Sequence, residues 1–376
     1  MPWKESTVMT ERKKFVQEAQ QEDANIRGLC RSNGISSRTA YKWLNRYREE
    51  GEDGLVDRTR RPQHSPKQTP REMEARVLQV RQAHPAWGGR KIRAYLQRQG
   101  VEDVPAASTI TAILHRNQCI DPEESKKRTA LQRFEMEQPN QIWQMDFKGW
   151  IWIGGARCSP LTVLDDHSRY LVGLTACHNQ KKETVQGALT HIFRQYGLPD
   201  IFLVDNGPPW GGSKSKDHNY TKLNIWMFRL GIRVIHISPR HPQTIGKDER
   251  LHRTLKAEVL KQHQFENFFV CQNIFDAWRE LYNHDRPHQA LKMDVPASRY
   301  RSSQNTFPET LPPIEYDEGA IVHTVLQNGC VVFQDKYQIW LGKIFAGYPV
   351  ALFPHPEKDR VFSAYFCCQK IKTFEL

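Results

Sequence analysis

The chain has 376 residues, of which 54 are Lys or Arg and 42 are Asp or Glu, so its formal net charge is +12. This length predicts two to four domains, and the excess of positive charge indicates a polyanionic partner, either nucleic acid or an acidic membrane surface. No apolar run approaches the ~20 residues of a membrane span and no signal peptide is visible, so we expect no membrane segment. The eight cysteines form no Cys-x-x-Cys pair, so we expect no disulfide framework and a reducing cytoplasm.

Residues 1–56 predict three short helices. Apolar residues recur at helical spacing in 10–21 and 24–32, and Ser36 is placed to cap a third helix after the turn at Asn33-Gly34. This arrangement is typical of a helix-turn-helix domain, whose last helix enters the major groove. The candidate DNA contacts on its exposed face are Ser37, Arg38, Thr39, Lys42, Asn45 and Arg46. A packing module without DNA contact is the alternative interpretation.

Residues 57–70 are basic and contain several prolines, which predicts an extended linker. Arg58, Arg60 and Arg61 are candidates for contacts in a minor groove, although a solvated tether explains the same composition.

Residues 71–120 predict a second helix-turn-helix-like domain, with helices at 71–83, 87–99 and 108–117. Its candidate DNA contacts are Ser108, Thr109, Thr111, His115 and Arg116. Residues 121–138 are charged and poor in apolar residues, so we expect a second linker there.

Two acids occupy unusual places in predicted strands within residues 139–292. Trp143, Met145 and Phe147 alternate with polar residues, so Asp146 projects from the face opposite the bulky side chains. The apolar run 201–204 is typical of a buried parallel strand, and Asp205 follows at its carboxyl end, where open α/β sheets place their sites. Asp165 and Asp166 lie in a predicted hairpin turn; we interpret them as structural, with Arg169 as a possible partner, and keep metal binding as the alternative.

The stretch 241–261 predicts a loop followed by a long helix. Leu251, Leu255 and Val259 form an apolar stripe at four-residue spacing. A different face carries Glu249, His252, Arg253 and Lys256. One acid followed by three potential cations suits a helix that holds a metal ion with its first turn and phosphates with the next two. A solvated face with ion pairs is the alternative. The neighbouring Asp248 begins the apolar stripe, and we interpret it as a first-turn acid favoured by the helix dipole.

The end of the chain predicts a linker at 293–318 and a small β-barrel at 319–376. Five brief β-rich runs occur in the last part of the chain. They are 321–325, 330–333, 338–341, 349–353 and 361–366.

Several of these motifs together resemble the DDE transposases and integrases of the retroviral-integrase superfamily, and more narrowly bacterial insertion-sequence transposases. The resemblance rests on the segments 143–146, 164–170, 205–207, 241–250 and 282–291, which occur in the family's order. It implies a multidomain protein with an α/β RNase H-like catalytic core, all-α helix-turn-helix modules before the core and a small SH3-like β-barrel after it. It also implies that Asp146, Asp205 and Glu249 are catalytic and bind Mg²⁺, with Mn²⁺ able to substitute.

The function that the resemblance implies is transposition. The protein would cleave double-stranded DNA at the ends of its element and join the 3′-hydroxyl ends to target DNA, acting as a homo-oligomer on DNA without a covalent protein intermediate. A carboxylate ligand set favours Mg²⁺ over zinc. The expected location is the bacterial cytoplasm, associated with the nucleoid. A metal-dependent nuclease without strand transfer and a catalytically idle DNA-binding regulator are the alternatives.

Overall fold

The computed structural model describes residues 7–58, 68–120, 135–211, 220–237 and 246–376. The chain divides into two compact units, Met1–Gln68 and Thr69–Leu376. Most of the predicted linkers at 57–70 and 121–138, including Arg60 and Arg61, lies outside the described residues. So does the predicted loop motif at 241–245. The domain boundaries therefore remain predictions.

The first unit contains three helices, as predicted: α1 (Val8–Ala19), α2 (Ile26–Ser32) and α3 (Ser37–Glu50). Each begins where a short polar side chain accepts a hydrogen bond from a free backbone N–H, and Ser36 does so at the start of α3. Phe15, Val16, Ala40 and Trp43 form most of its buried core. The helical spacing of these apolar residues explains why the three helices pack together.

The second unit begins with α4 (Arg71–Ala83), α5 (Gly89–Arg98) and α6 (Ala107–Arg116). The core of this helical module is apolar and closely packed. Its fully buried members are Val77, Trp87, Ile92, Ile110, Ile113 and Leu114. Gly89 permits a close approach of α5 to α6, because a Cβ atom there would lie 2.5 Å from the carbonyl oxygen of Ala107.

The α/β core is built on one mixed sheet. Its strands are β1 (Ile142–Phe147), β2 (Ile151–Ile153), β3 (Ala156–Asp165), β4 (Leu171–Cys177), β5 (Ile201–Val204) and β6 (Arg233–His236). The strand order is β2-β3-β1-β5-β6, and β4 pairs with β3 outside this order. Strands β1, β5 and β6 are parallel to one another, whereas β3 runs antiparallel to β1. The carboxyl ends of β1 and β5 therefore meet at one edge of the sheet.

Helices cover both faces of this sheet. They are α7 (Lys182–Tyr196) and α8 (Lys222–Arg229) on one face, and α9 (Gly246–Leu255) and α10 (Phe268–Glu280) on the other. Trp143 and Met145 point toward α7 and α8, so Asp146 lies on the α9 face, as the strand alternation predicted. The stripe of Leu251, Leu255 and Val259 is buried, also as predicted.

The carboxyl-terminal region consists of antiparallel sheets, but a closed SH3-like barrel is not confirmed. One sheet has the order β12-β11-β10-β7, formed by β7 (Ile321–Thr324), β10 (Pro349–Pro354), β11 (Val361–Phe366) and β12 (Gln369–Glu375). A separate pair joins β8 (Cys330–Phe333) to β9 (Tyr337–Trp340). The prediction of five strands missed β12. The preceding segment 299–320 forms no helix or strand, and Phe307 and Leu311 pack it against the core.

None of the helices in the described part of the chain combines the length and the apolar composition needed to span a membrane.

Candidate active site

Asp146, Asp205 and Glu249 line one cavity of about 230 Å³, together with Asp248. Three different elements supply them: Asp146 lies in β1, Asp205 follows β5, and Glu249 lies in the first turn of α9. In the parallel register of β1 and β5, Gln144 lies opposite Leu203. Continuing this register by two residues places Asp205 level with Asp146, so the sheet itself brings these two acids together.

Asp146 is held by its own strand. The backbone amide of Phe147 donates a 2.8 Å hydrogen bond to Oδ1 of Asp146. Burial, together with the nearby negative charge of Asp205, raises the pKa of Asp146 to about 6, although the hydrogen bond from the amide of Phe147 opposes the shift. A cation beside this carboxylate would therefore be attracted by the negative charges of both Asp146 and Asp205.

Asp205 is exposed, yet its orientation is fixed by two donors. Its Oδ1 accepts a 3.0 Å hydrogen bond from the amide of Gly207 and a second one from the indole N–H of Trp210. Trp210 is itself buried and stacks on Phe147, with ring centroids 5.2 Å apart. Because Phe147 follows Asp146 directly, this aromatic pair links the two acids through the opposite face of the sheet.

A chain of hydrogen bonds ties α9 to β1. The buried hydroxyl of Thr162 donates to the carbonyl oxygen of Asp146 at 3.0 Å and is 2.9 Å from Nε2 of His252. Since the single hydroxyl proton is already donated, Nε2 of His252 carries the proton of the second bond. Nδ1 of His252 then has no proton, and it lies 3.8 Å from Oδ2 of Asp146. Burial lowers the pKa of His252 to about 4, which favours this neutral ring.

A second contact anchors the first turn of α9. The ammonium group of Lys247 binds the carboxylate of Asp166, and Asp166 also accepts hydrogen bonds from Gln144 and from the amide of Met136. These bonds confirm the structural interpretation of Asp166.

Asp165 is equally committed to its turn, because its oxygens accept hydrogen bonds from Ser168 and from the amide of Asn140. The suggested partner Arg169 contacts Asp165 through its backbone amide, which donates a 3.0 Å hydrogen bond to the carbonyl oxygen of Asp165, and it forms no ion pair with either acid. Arg169 instead forms an ion pair with Glu135, with 3.4 Å between nitrogen and oxygen.

Asp248 and Glu249 differ sharply in environment. Asp248 is 3% exposed, and its Oδ1 has no hydrogen-bond partner among the described residues, whereas Glu249 is exposed. Burial raises the pKa of Asp248 well above its usual range, and the charges of Asp146 and Asp166 add to the shift. Asp248 occupies the first turn, as predicted, and it is buried there.

The donor set fits a hard divalent cation. Four carboxylates line the cavity, and one buried carboxylate oxygen lacks a partner, which is the condition that a cation would relieve. As placed, no three His, Cys, Asp or Glu side chains in the described ranges stand close enough together to hold an ion. The exposed side chain of Glu249 would have to turn toward the two strand acids.

Family models match most of these segments. Integrase core domain models match residues 136–242 and 230–296, a helix-turn-helix domain model matches residues 11–63, and a homeodomain-like domain model matches residues 39–114.

Curated relatives agree with the models. The uncharacterized 31.7 kDa protein of insertion element IS407 from Burkholderia multivorans is 26% identical over 61% of this chain and 82% of the relative. The uncharacterized 39.2 kDa protein of insertion element IS476 from Xanthomonas euvesicatoria is 25% identical over 64% of this chain and 69% of the relative. The chain carries helix-turn-helix domains and an integrase core domain, and it is homologous to these two insertion element proteins.

One similar solved structure is a chain of the simian T-cell lymphotropic virus intasome. Its sequence identity to this chain is 15% and the TM-score is 0.39, and the match covers 77% of this chain and 91% of that chain. Another is the catalytic core domain of HTLV-2 integrase in complex with magnesium, with 15% identity, a TM-score of 0.34, and coverage of 44% and 99%.

In the first helix-turn-helix domain, most of the residues predicted to contact DNA are exposed to solvent. Ser37, Arg38, Lys42 and Asn45 are exposed on α3, while Thr39 and Arg46 are half-buried. Thr39 is bonded to the capping Ser36, and the cations of Lys42 and Arg46 lie 4.6 and 5.2 Å from the centroid of the Trp43 ring. Arg58 forms an ion pair with Glu50.

The second helical module presents its predicted residues on α6. Ser108, Thr111, His115 and Arg116 are exposed and Thr109 is half-buried. Arg116 forms an ion pair with Glu74 of α4, so this guanidinium has a partner within its own module.

The predicted phosphate-binding face of α9 needs one correction. Arg253 and Lys256 are exposed, and neither forms an ion pair with any residue that the structure describes. His252 is 9% exposed and bonded to Thr162, so its inclusion among the DNA contacts is wrong. The imidazole of His252 is buried because it hydrogen-bonds to the buried hydroxyl of Thr162, which the sheet presents next to the apolar stripe of α9.

Sequence reasoning missed three residues that position the acids: Thr162, Lys247 and Trp210. Trp210 follows the Asp205 turn closely and carries an N–H that must find a partner when buried, which is a signal that the sequence does offer. Thr162 gave no such signal, because its partners come from distant parts of the chain.

We expect Asp248→Asn to raise the melting temperature of the metal-free protein by at least about 2 °C near pH 7.5. The folded protein raises the pKa of Asp248 above its usual 3.8, so folding favours the neutral form, and this contribution is lost as the pH rises. Asparagine is neutral at every pH. The advantage of the variant should therefore shrink as the pH falls toward 4, as measured by calorimetry in a chelating buffer.

Glu249→Gln is the matched control for Asp248→Asn, because it neutralises the adjacent, exposed acid and should change the melting temperature by less than about 1 °C. A lower melting temperature for Asp248→Asn would show that the protein stabilises the charged form of Asp248.

Proposed function

We propose that this protein is a DNA transposase that binds the ends of its mobile element, cleaves DNA strands with divalent metal, and joins the 3′-hydroxyl ends to target DNA. The observation that carries the proposal is the convergence of Asp146, Asp205 and Glu249 on one cavity inside the segment matched by integrase core models. The strand register, the turn after β5 and the anchored first turn of α9 all serve this convergence.

In the proposed reaction, Asp146, Asp205 and Glu249 hold Mg²⁺, which Mn²⁺ can replace. When bound, divalent cations supply charge neutralisation to the attacking and leaving oxygens of a phosphodiester. The protein contributes the geometry: the amides of Phe147 and Gly207 and the indole of Trp210 orient the two strand acids. His252 acts as a positioning residue, because it fixes the helix of Glu249 against the strand of Asp146.

DNA binding is divided among separate surfaces in this proposal. The exposed faces of α3 and α6 bind the element ends, and the net charge of +12 favours a polyanion. Arg253 lies one turn beyond Glu249 on α9, and Lys256 lies two turns beyond it in the π-helical segment that continues α9, so both approach phosphates beside the bond that is cut. The protein acts as a homo-oligomer that brings element ends and target DNA together.

We expect Asp146→Asn, Asp205→Asn and Glu249→Gln each to lower strand cleavage by at least roughly 100-fold while leaving the binding of end DNA within about twofold. The acids hold the cation, whereas the helical modules hold the DNA. Cleavage of a labelled end duplex in Mg²⁺, beside a mobility-shift measurement without metal, tests this.

Asp248→Asn is the control for the Glu249 variant and should retain cleavage. An inactive Asp248→Asn with an active Glu249→Gln would transfer the ligand role to Asp248. Cleavage by the wild-type protein without joined products would instead identify a nuclease, and end binding without any cleavage would identify a DNA-binding regulator.

The salt dependence and specificity of end binding test the role of α3. We expect affinity to fall steeply and linearly on logarithmic axes with salt, because Lys and Arg release counterions from DNA. Lys42→Ala and Arg46→Ala should weaken binding to end DNA more than binding to random duplex, by roughly 5- to 10-fold. Equal losses on both duplexes, measured by fluorescence anisotropy, would make these residues phosphate contacts without sequence preference.

Replacing Arg253 and Lys256 together by alanine should lower strand transfer by at least roughly tenfold without changing the binding of an isolated end. The attraction between a cationic side chain and a phosphate is strongest where the two are close and water is partly excluded. The measurement uses pre-cleaved ends at saturating Mg²⁺, with thermal unfolding of the same variant as its control. Normal transfer with a lowered melting temperature would show that both residues serve the stability of α9 alone.

A further inference from the structure

The hairpin that follows Asp146 exposes two tryptophans. Trp150 and Trp152 are each 56% exposed, and their rings meet edge to face with centroids 5.6 Å apart. Arg157 lies across the hairpin, in register with Trp152, and its guanidinium carbon is 5.0 Å from the Trp150 centroid and 5.8 Å from the Trp152 centroid. We call these three residues the Trp-Arg platform.

Folding does not explain this exposure. On the same strand, Ile153 is 2% exposed and packs toward α9 and α10, so the alternation of β2 turns Trp152 to the other side. Two indoles left in water lose the free energy that burial would provide. The platform therefore has no evident part in stabilising the described fold.

The hairpin is nevertheless fixed in place. Its turn is formed by Gly154 and Gly155, both with positive φ. The amide of Gly154 donates a 3.1 Å hydrogen bond to Phe265, and a Cβ atom on Gly154 would lie 2.2 Å from the carbonyl oxygen of Glu266. The turn is thus docked on the loop before α10, and the platform is held in a defined position.

The platform is close in sequence to the candidate active site, although Trp152 and Arg157 lie on the other face of the sheet from Asp146. Trp150 follows Asp146 by four residues, so their Cα atoms are at most ~14 Å apart by chain length alone. Lys148 lies between them in sequence, and its charge lowers the pKa of both Asp146 and His252.

We propose that the Trp-Arg platform binds an unpaired nucleotide of the bound DNA, with the base stacked on an indole and Arg157 beside its phosphate. The inference rests on the proposed action on DNA. Arg157 has no carboxylate partner among the described residues, and the net charge of +12 favours a polyanionic occupant over a second copy of the chain. Bases within a duplex have both faces covered, so an aromatic platform selects nucleotides that have left the stack.

The test compares three labelled DNAs by fluorescence anisotropy in chelating buffer, where no cleavage occurs. All three contain the same duplex. The first has a blunt end, the second has a four-nucleotide single-stranded tail, and the third has the same tail without bases. We expect the wild-type protein to bind the normal tail about tenfold more tightly than the abasic tail, because each stacked base contributes about that factor. Trp150→Ala with Trp152→Ala should reduce this ratio to below about twofold, and the corresponding Phe variants should keep most of it.

The chain offers a matched control in Trp340, which is 42% exposed with the Lys372 ammonium 5.8 Å from its ring centroid. Trp340→Ala should leave the ratio unchanged. Arg157→Ala should weaken binding to both tails equally, and Arg157→Lys should restore part of it, because the charge serves the phosphate. The single variant Trp150→Ala, with thermal unfolding measured in parallel, replaces the double variant if the latter does not fold.

A double alanine variant that keeps the tenfold ratio would overturn the inference. A variant that keeps the ratio but changes the oligomeric state in sedimentation would also overturn it, and would make the platform a contact between copies. If the wild-type protein binds all three DNAs equally, the platform has no role in base stacking while the proposed function stands. The ratio of affinities for the normal and abasic tails is measured without cleavage. A protein that fails to cleave DNA can therefore still show this ratio, and failure of the proposed function is distinguished from failure of the inference.

Discussion

The buried hydroxyl of Thr162 is the contact on which the arrangement of the acids depends. It donates to the backbone of Asp146 and accepts from His252, and thereby fixes a helix to a strand that lies about a hundred residues earlier in the chain. Lys247 supplies a second anchor on Asp166 at the start of the same helix. Between these two anchors lie Asp248 and Glu249, so their backbone positions relative to the sheet are set by hydrogen bonds and do not rely on apolar packing alone.

The same arrangement concentrates negative charge where the protein gains no stability from it. Burial and mutual repulsion raise the pKa of Asp146 to about 6 and that of Asp248 well above its usual range, and Oδ1 of Asp248 has no partner among the described residues. Apolar side chains at these positions would pack without this cost. A group of acids that opposes folding is understandable if a cation and a phosphate complete the site, which is the condition that the proposed chemistry requires.

Local patterns predicted what local physics determines. The bounds of α4 and β5 and the buried stripe of α9 follow from periodicity and from turn residues, and the structure agrees with them. Several features that sequence reasoning missed depend on partners distant in the chain. His252 is buried because β3 presents Thr162, and the side chain of Arg169 binds Glu135. Trp210 and the short strand β2 were missed although their partners, Asp205 and β3, lie close by in the sequence. The barrel prediction failed to be confirmed because closure depends on pairings between strands that no local pattern specifies.

The three acids are not equally constrained, and this difference bears on how the site would assemble. Asp146 and Asp205 have short side chains that accept hydrogen bonds from backbone amides or from Trp210, so few rotamers remain open to them. Glu249 has a longer side chain and is exposed, while its backbone is anchored on both sides. Completing the proposed ligand set would require rotation about the side-chain bonds of Glu249. The conformational cost of binding a cation would then fall mainly on that residue, because the two strand acids are already oriented by their hydrogen bonds.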